Sequence, residues 1–136
     1  MNYYKMQQQY NLQRFLDAQA EMYPIALKEM KNGRKMSHWI WFIFPQLKGL
    51  GRSYNSEFYG LDGIGEAEAY IKHPILAARL REICGALLEN TDKEIKYIMG
   101  WNVDVMKLKS SMELFNLVSP NDIFDEVLRA FFPLNA

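Results

Sequence analysis

A chain of 136 residues with 49% apolar and 24% charged side chains can bury one core without staples and is too apolar to be disordered over most of its length. Sixteen basic and sixteen acidic residues cancel, which argues against whole-surface attraction to a polyanion such as duplex DNA. The single cysteine, Cys84, excludes an intramolecular disulfide and a thiolate metal cluster. A reducing cytoplasm fits. The opening MNYYKMQQQY lacks the apolar stretch of a signal peptide, and no apolar run approaches the roughly 18 residues that span a bilayer.

Residues 1–10 are expected to fray. Leu12, Phe15 and Leu16 then open an amphipathic pattern that continues through Met22. Pro24 interrupts it, as a kink or as the first residue of a second helix. Ile25 to Lys31 resumes the pattern, and Asn32-Gly33 stops it. Next comes SHWIWFIFPQ, Ser37 to Gln46. Periodicity alone does not separate a buried strand from a buried helix here. Ser37 as a cap, Pro45 as a stop and the lack of partner strands favour a helix over 38–44, apolar all round and therefore buried on most sides.

Leu47 to Gly65 holds five glycines in nineteen residues, which makes it a structured loop with one helical turn around Ser56 to Tyr59. Gly65 to Lys72 is a short helix ended by His73-Pro74, and Pro74 starts the next. Leu76, Leu80, Ile83 and Leu87, flanked by Cys84 and Leu88, mark a core-facing stripe over Ile75 to Leu88. Cys84 reads as core filler. Gly85 costs about 1 kcal/mol against Ala there, a cost a close backbone neighbour would explain. Thr91 and Glu94 form a capping box for a helix carrying Ile95, Ile98 and Met99. Asn102 or Asp104 caps a helix with Leu108, Met112, Phe115 and Val118 inward. Ser119-Pro120 starts the last helix, with Ile123, Val127, Leu128 and Phe131 inward. The expected fold is all-α: a single compact domain of about seven helices in an irregular orthogonal array.

Charge is unevenly placed. Lys28 to Arg52 carries six bases and one acid, Glu29, whereas Glu57 to Ala69 carries four acids and no base. The aromatic stretch lies inside the basic block. His38 has a plain reading, a hydrogen-bonded histidine beside core aromatics. Its functional reading is a pocket edge: Trp41 as an aromatic wall, Ser37, His38 and Gln46 as polar contacts, and Arg34, Lys35 or Arg52 facing an anion. GLGRS offers exposed backbone N–H groups beside Arg52 and Ser53, with a tight turn as the plainer reading; it lacks the P-loop ending. In DVMKLKSSMELF, Lys107 lies near a helix start with Ser110 and Ser111 three and four residues on, a pattern that suits an anion. The plainer reading has Asp104 offset the lysines and Ser111 bond back to a carbonyl. No histidine pair has metal-ligand spacing, and Glu66 and Glu68 point apart on a helix, so they read as solvated.

Taken in order, LQRFLDAQ, ALKEMKNGRKMSHWIWFIFPQLKGLGRS, FYGL, EAEAYIKHPILAARLREI and KLKSSMELF resemble the domain of unknown function 1810 family, whose members are mostly bacterial. The resemblance covers about residues 11 to 132 and implies a single, mainly helical domain of similar length. It brings no substrate, cofactor or catalytic residue with it. Matched positions include His38, Trp41, Gln46, Arg52, Tyr59, His73, Lys107 and Ser110. Lys109 stands where arginine is expected, which would turn a bidentate contact into a point charge.

Together these readings point to a cytoplasmic domain that binds, or acts on, a small anionic, nucleotide-like molecule. Lys107 and Arg52 would supply charge and Trp41 a stacking face. Arg34, Ser37, His38, Gln46, Ser53, Tyr59, Ser110 and Ser111 complete the candidate set. No metal or cofactor is expected. The alternative is a protein-interaction module that uses an aromatic and methionine-rich groove.

Overall fold

The computed structural model describes residues 10–134; of the segment 1–10 expected to fray, all but Tyr10 lies outside the described residues. The pattern that begins at Leu12 does not stop at Pro24. One helix, α1 (Gln13–Lys31), runs through it. Pro24 offers no N–H to the Ala20 carbonyl, but both residues are exposed, so the unpaired carbonyl lies on the solvent side. The other face buries Phe15, Gln19, Tyr23, Ala26 and Met30 at helical spacing. Gly33 takes φ +73° after the helix, and the Arg34 N–H closes the end on the Glu29 carbonyl at 3.0 Å.

The aromatic stretch forms only one helical turn, α2 (Ile40–Ile43), shorter than the expected 38–44. Ser37 does not cap it. Its N–H and hydroxyl both donate to Glu29, at 3.0 and 2.6 Å, which draws residues 36–39 into a loop against α1. Next is α3 (Tyr54–Phe58), two residues earlier than expected because the Ser53 hydroxyl accepts from the Ser56 N–H. The loop that carries α3 is closed by two backbone bonds of 2.9 Å, Lys48 N–H to Leu61 and Leu61 N–H to Gln46. At this crossing a Cβ on Gly60 would stand 2.6 Å from Lys48 Cα, so glycine is required.

Helices α4 (Gly63–Lys72) and α5 (Pro74–Leu88) meet at His73, whose Nδ1 accepts from the N–H groups of Ile75 and Leu76, both at 3.2 Å. The α5 stripe is buried as expected, Cys84 included. Gly85 differs from expectation: its nearest neighbour is the Ile123 side chain at 3.9 Å, not a backbone. The Thr91–Glu94 capping box does not form. Glu94 caps α6 (Ile95–Met99) by backbone alone, and Thr91 lies in the turn before it. Neither Asn102 nor Asp104 caps α7 (Asn102–Val118) through its side chain. The last helix, α8 (Ile123–Phe131), starts at Asp122 rather than Ser119-Pro120. Ser119 instead donates to Asp122 at 2.8 Å, and Arg81 pairs with the same carboxylate at 2.9 Å. Phe124 and Val127 are the fully buried residues of α8; Ile123, Leu128 and Phe131 are half-buried.

The described residues contain these eight helices and no strand, in keeping with the all-α expectation. α1 packs on α5, α5 on α8, α8 on α7, and α7 on α4. Trp39, Tyr70, Phe15, Phe44, Phe115 and Phe124 are fully buried where these helices meet. Among the described residues no helix is long and apolar enough to cross a membrane.

Candidate functional site

Two of the candidate cations are spoken for. The Lys35 side chain is fully buried; its ammonium pairs with Asp104 at 2.8 Å and lies over the rings of Trp39 and Trp101 at 4.8 and 5.0 Å. Arg34 lies over Tyr97 at 5.3 Å. Ser37 is held by Glu29, which also accepts from the Met36 N–H and from Trp39 Nε1. Burial pushes the Glu29 carboxyl up, but these hydrogen bonds outweigh it and hold it below the ordinary carboxylate range. His38 is exposed and stacks on Trp101 at 5.2 Å. Arg34, Ser37 and His38 therefore form an outer loop of their own and do not share a cavity with Lys107.

A second group does converge. Trp41 from α2, Gln46 from the following loop, Ser56 and Tyr59 from the α3 region and Lys107 from α7 line one hollow. Its free volume is about 10 Å³, room for about one water-sized group. Lys107 Nζ reaches Ser56 Oγ at 3.4 Å, and Ser53 donates to the same hydroxyl at 3.0 Å. Trp41 Nε1 is buried and has no hydrogen-bond partner among the described residues. Tyr59 packs its ring on Phe42 and Phe15, and burial pushes its hydroxyl pKa up, which keeps the phenol neutral. Gly51 packs against two of these residues: a Cβ there would stand 2.4 Å from Ser56 Oγ and 3.2 Å from Lys107 Nζ.

Gln46 and Lys107 also border an open groove of about 360 Å³ between α7 and the loop before α3. Its remaining walls are Leu50, Asn102, Val103, Met106 and Ser110. Among the described residues, Lys107 is the only charged one that lines either space. The Gln46 side chain is buried and makes no hydrogen bond to a described residue.

Over residues 9–135 the sequence matches the family described as "Protein of unknown function (DUF1810)". The chain belongs to this family. It is also similar to the conserved hypothetical protein Rv1873 from Mycobacterium tuberculosis, whose crystal structure superposes with a TM-score of 0.87 at 40% identity, covering 90% of this chain and 88% of that one. No curated protein matches.

The remaining candidates of this DUF1810 member fall outside the hollow. Arg52 is exposed and lines neither space, and Ser53 acts as the α3 cap. Lys107, which does line the hollow, lies beyond the first turn of α7, so it is not at the amino end where an anion was expected. Ser111 faces the core, fully buried, and its hydroxyl bonds to no carbonyl among the described residues. Glu66 is buried, not solvated. It pairs with Arg14 at 2.8 Å, and Arg14 further donates to the carbonyls of Asn11, Phe58 and Gly60. This clamp ties the loop that bears Ser56 and Tyr59 to α1 and α4. The hollow and groove add Ser56, Leu50, Val103 and Met106, which the sequence reading did not single out. One available signal was Ser56 three residues after Ser53, the spacing of a capping pair.

Proposed function

We propose that the hollow at Lys107 binds the acid group of a small anionic ligand. The observation that carries this reading is a surplus of donors. The Lys107 ammonium pairs with no carboxylate among the described residues, and the Trp41 N–H in the same wall is buried without an acceptor. A buried donor left unpaired costs about 1–3 kcal/mol, which an incoming acceptor oxygen offsets. Ser56 already accepts from Lys107 and Ser53, so its own proton is left to donate. The free volume leaves no space for a base stacked on Trp41, and Arg52 stands apart. The ligand narrows from nucleotide-like to one that presents a small acid group.

A thermal-shift series with small carboxylates and inorganic phosphate tests this. The intact protein gains melting temperature with at least one of these anions, and Lys107→Ala and Trp41→Phe each lose the gain. Trp41→Phe keeps or raises basal stability, because it removes an unsatisfied donor. Arg52→Ala responds like the parent. The reading is wrong if no anion shifts the parent, or if both site variants respond as it does. The protein-groove reading has less support, since Trp39 and Phe42 are buried and only Trp41 of that trio reaches a cleft.

A further inference from the structure

The hollow and the groove share Gln46 and Lys107 as common walls, and their chemistry differs sharply. The hollow is donor-rich and admits about one oxygen-sized group. The groove presents Leu50, Val103 and Met106 to solvent at 60%, 62% and 60% exposure, which leaves apolar surface beside Lys107, the only cation among the described lining residues. Its volume of about 360 Å³ lies at the small end of the range for small-molecule sites, roughly 300–1,000 Å³.

On the reading just given, we infer that the ligand is an amphiphilic monocarboxylic acid, with its carboxylate at Lys107 and its hydrocarbon body along Leu50, Val103 and Met106. One lysine balances one negative charge. A phosphate monoester carries about 1.5 to 2 charges and three acceptor oxygens; among the described residues no second cation lines the hollow, and about 10 Å³ does not hold the group. A carboxylate needs less. One oxygen enters the hollow toward Lys107, Ser56 and Trp41. The second stays at the junction, where the Gln46 amide has no other hydrogen-bond partner among the described residues. The groove floor supplies apolar contact on one side only, so each added methylene tightens binding by about two- to fourfold, the upper figure being full burial.

Titrating the intact chain with acetate, butyrate, hexanoate and octanoate, followed by Trp fluorescence and melting temperature, tests the assignment. Inorganic phosphate, adenosine monophosphate and octanol serve as controls. Affinity is expected to rise with each methylene up to octanoate, with octanol and both phosphates failing to bind. Val103 and Met106 are exposed, so the neutral changes Val103→Asn and Met106→Gln leave the fold intact and add no carboxylate beside Lys107. Each is expected to flatten the chain-length dependence while preserving the acetate response, and Lys107→Ala removes both. If phosphate binds as tightly as octanoate, or the length dependence survives in both groove variants, the amphiphile assignment falls and the anion site stands. If no carboxylate and no phosphate binds, both fall.

Discussion

Lys35 and Lys107 carry the same ammonium in opposite circumstances. Lys35 is enclosed by two indoles and a carboxylate, and its charge is spent inside the molecule. Removing one partner of such a pair leaves the other buried and uncompensated, which typically costs about 3–5 kcal/mol. Lys35→Met is therefore expected to lower stability by that amount in urea unfolding. The double variant Lys35→Met/Asp104→Leu recovers most of the loss. A single variant as stable as the parent would mean that the pair is not what holds the 34–39 loop. Lys107, by contrast, has among the described residues only the Ser56 hydroxyl at 3.4 Å, and its removal is expected to affect ligand response more than stability. Sequence treats Arg34, Lys35, Arg52 and Lys107 alike as candidates. What separates them is where Asp104, Tyr97 and Ser56 lie in space, and no local pattern encodes that.

Among the helices, α5 and α1 were the most legible, because each keeps an apolar face over many turns. The short elements were the least legible. α2 and α3 have too few residues for periodicity to act, and side chains elsewhere set their limits: Glu29 for the first, Ser53 for the second. Capping choices went astray for a related reason. Ser119 and Asp122 both satisfy the local rule, and the Arg81 guanidinium from α5 favours Asp122. Gly85 yields a prediction at this scale. Its Cβ position is open apart from Ile123 at 3.9 Å, so Gly85→Ala gains helix propensity without a clash. A rise of about 0.5–1 kcal/mol in unfolding free energy is expected. A loss would show that Ile123 cannot yield.

For the whole molecule, titrating groups set a pH window. Burial, aided by the Arg79 charge, pushes His73 below its ordinary 6.5. Neutral His73 caps α5, so its contribution is fully present above 6.5 and is lost as pH falls through the lower folded value. Glu29 and Asp122 are also held low, the latter chiefly by Arg81, and each loses its contribution as pH falls below 4.5 and 3.8 respectively. On the alkaline side, burial raises Cys84 and Tyr70. The unfolded chain therefore releases their protons first, above 9.0 and 10.0, and stability falls again. Urea unfolding from pH 3 to 11 should trace a plateau between about 7 and 9 with a decline on either side. His73→Asn, a cap that does not titrate, should remove the limb near 6.5 and leave the others. An unchanged limb would assign it elsewhere.

Residue order alone is enough to establish that this is an all-α chain, that Cys84 and the α5 stripe are core, that His73-Pro74 divides two helices, and that the aromatic stretch is too short to span a membrane. These follow from periodicity, chain length and backbone chemistry, which act over a few residues. It also pointed to Trp41, Gln46, Tyr59, Lys107 and Ser110 as candidates, which the fold places around one hollow and its adjoining groove. It takes the packed fold to show that Arg34, Ser37 and His38 belong to a different loop, that Glu66 is buried on Arg14, and that Lys107 lacks a carboxylate partner among the described residues. Whether a charge is available depends on partners delivered from distant parts of the chain, and packing alone brings them together.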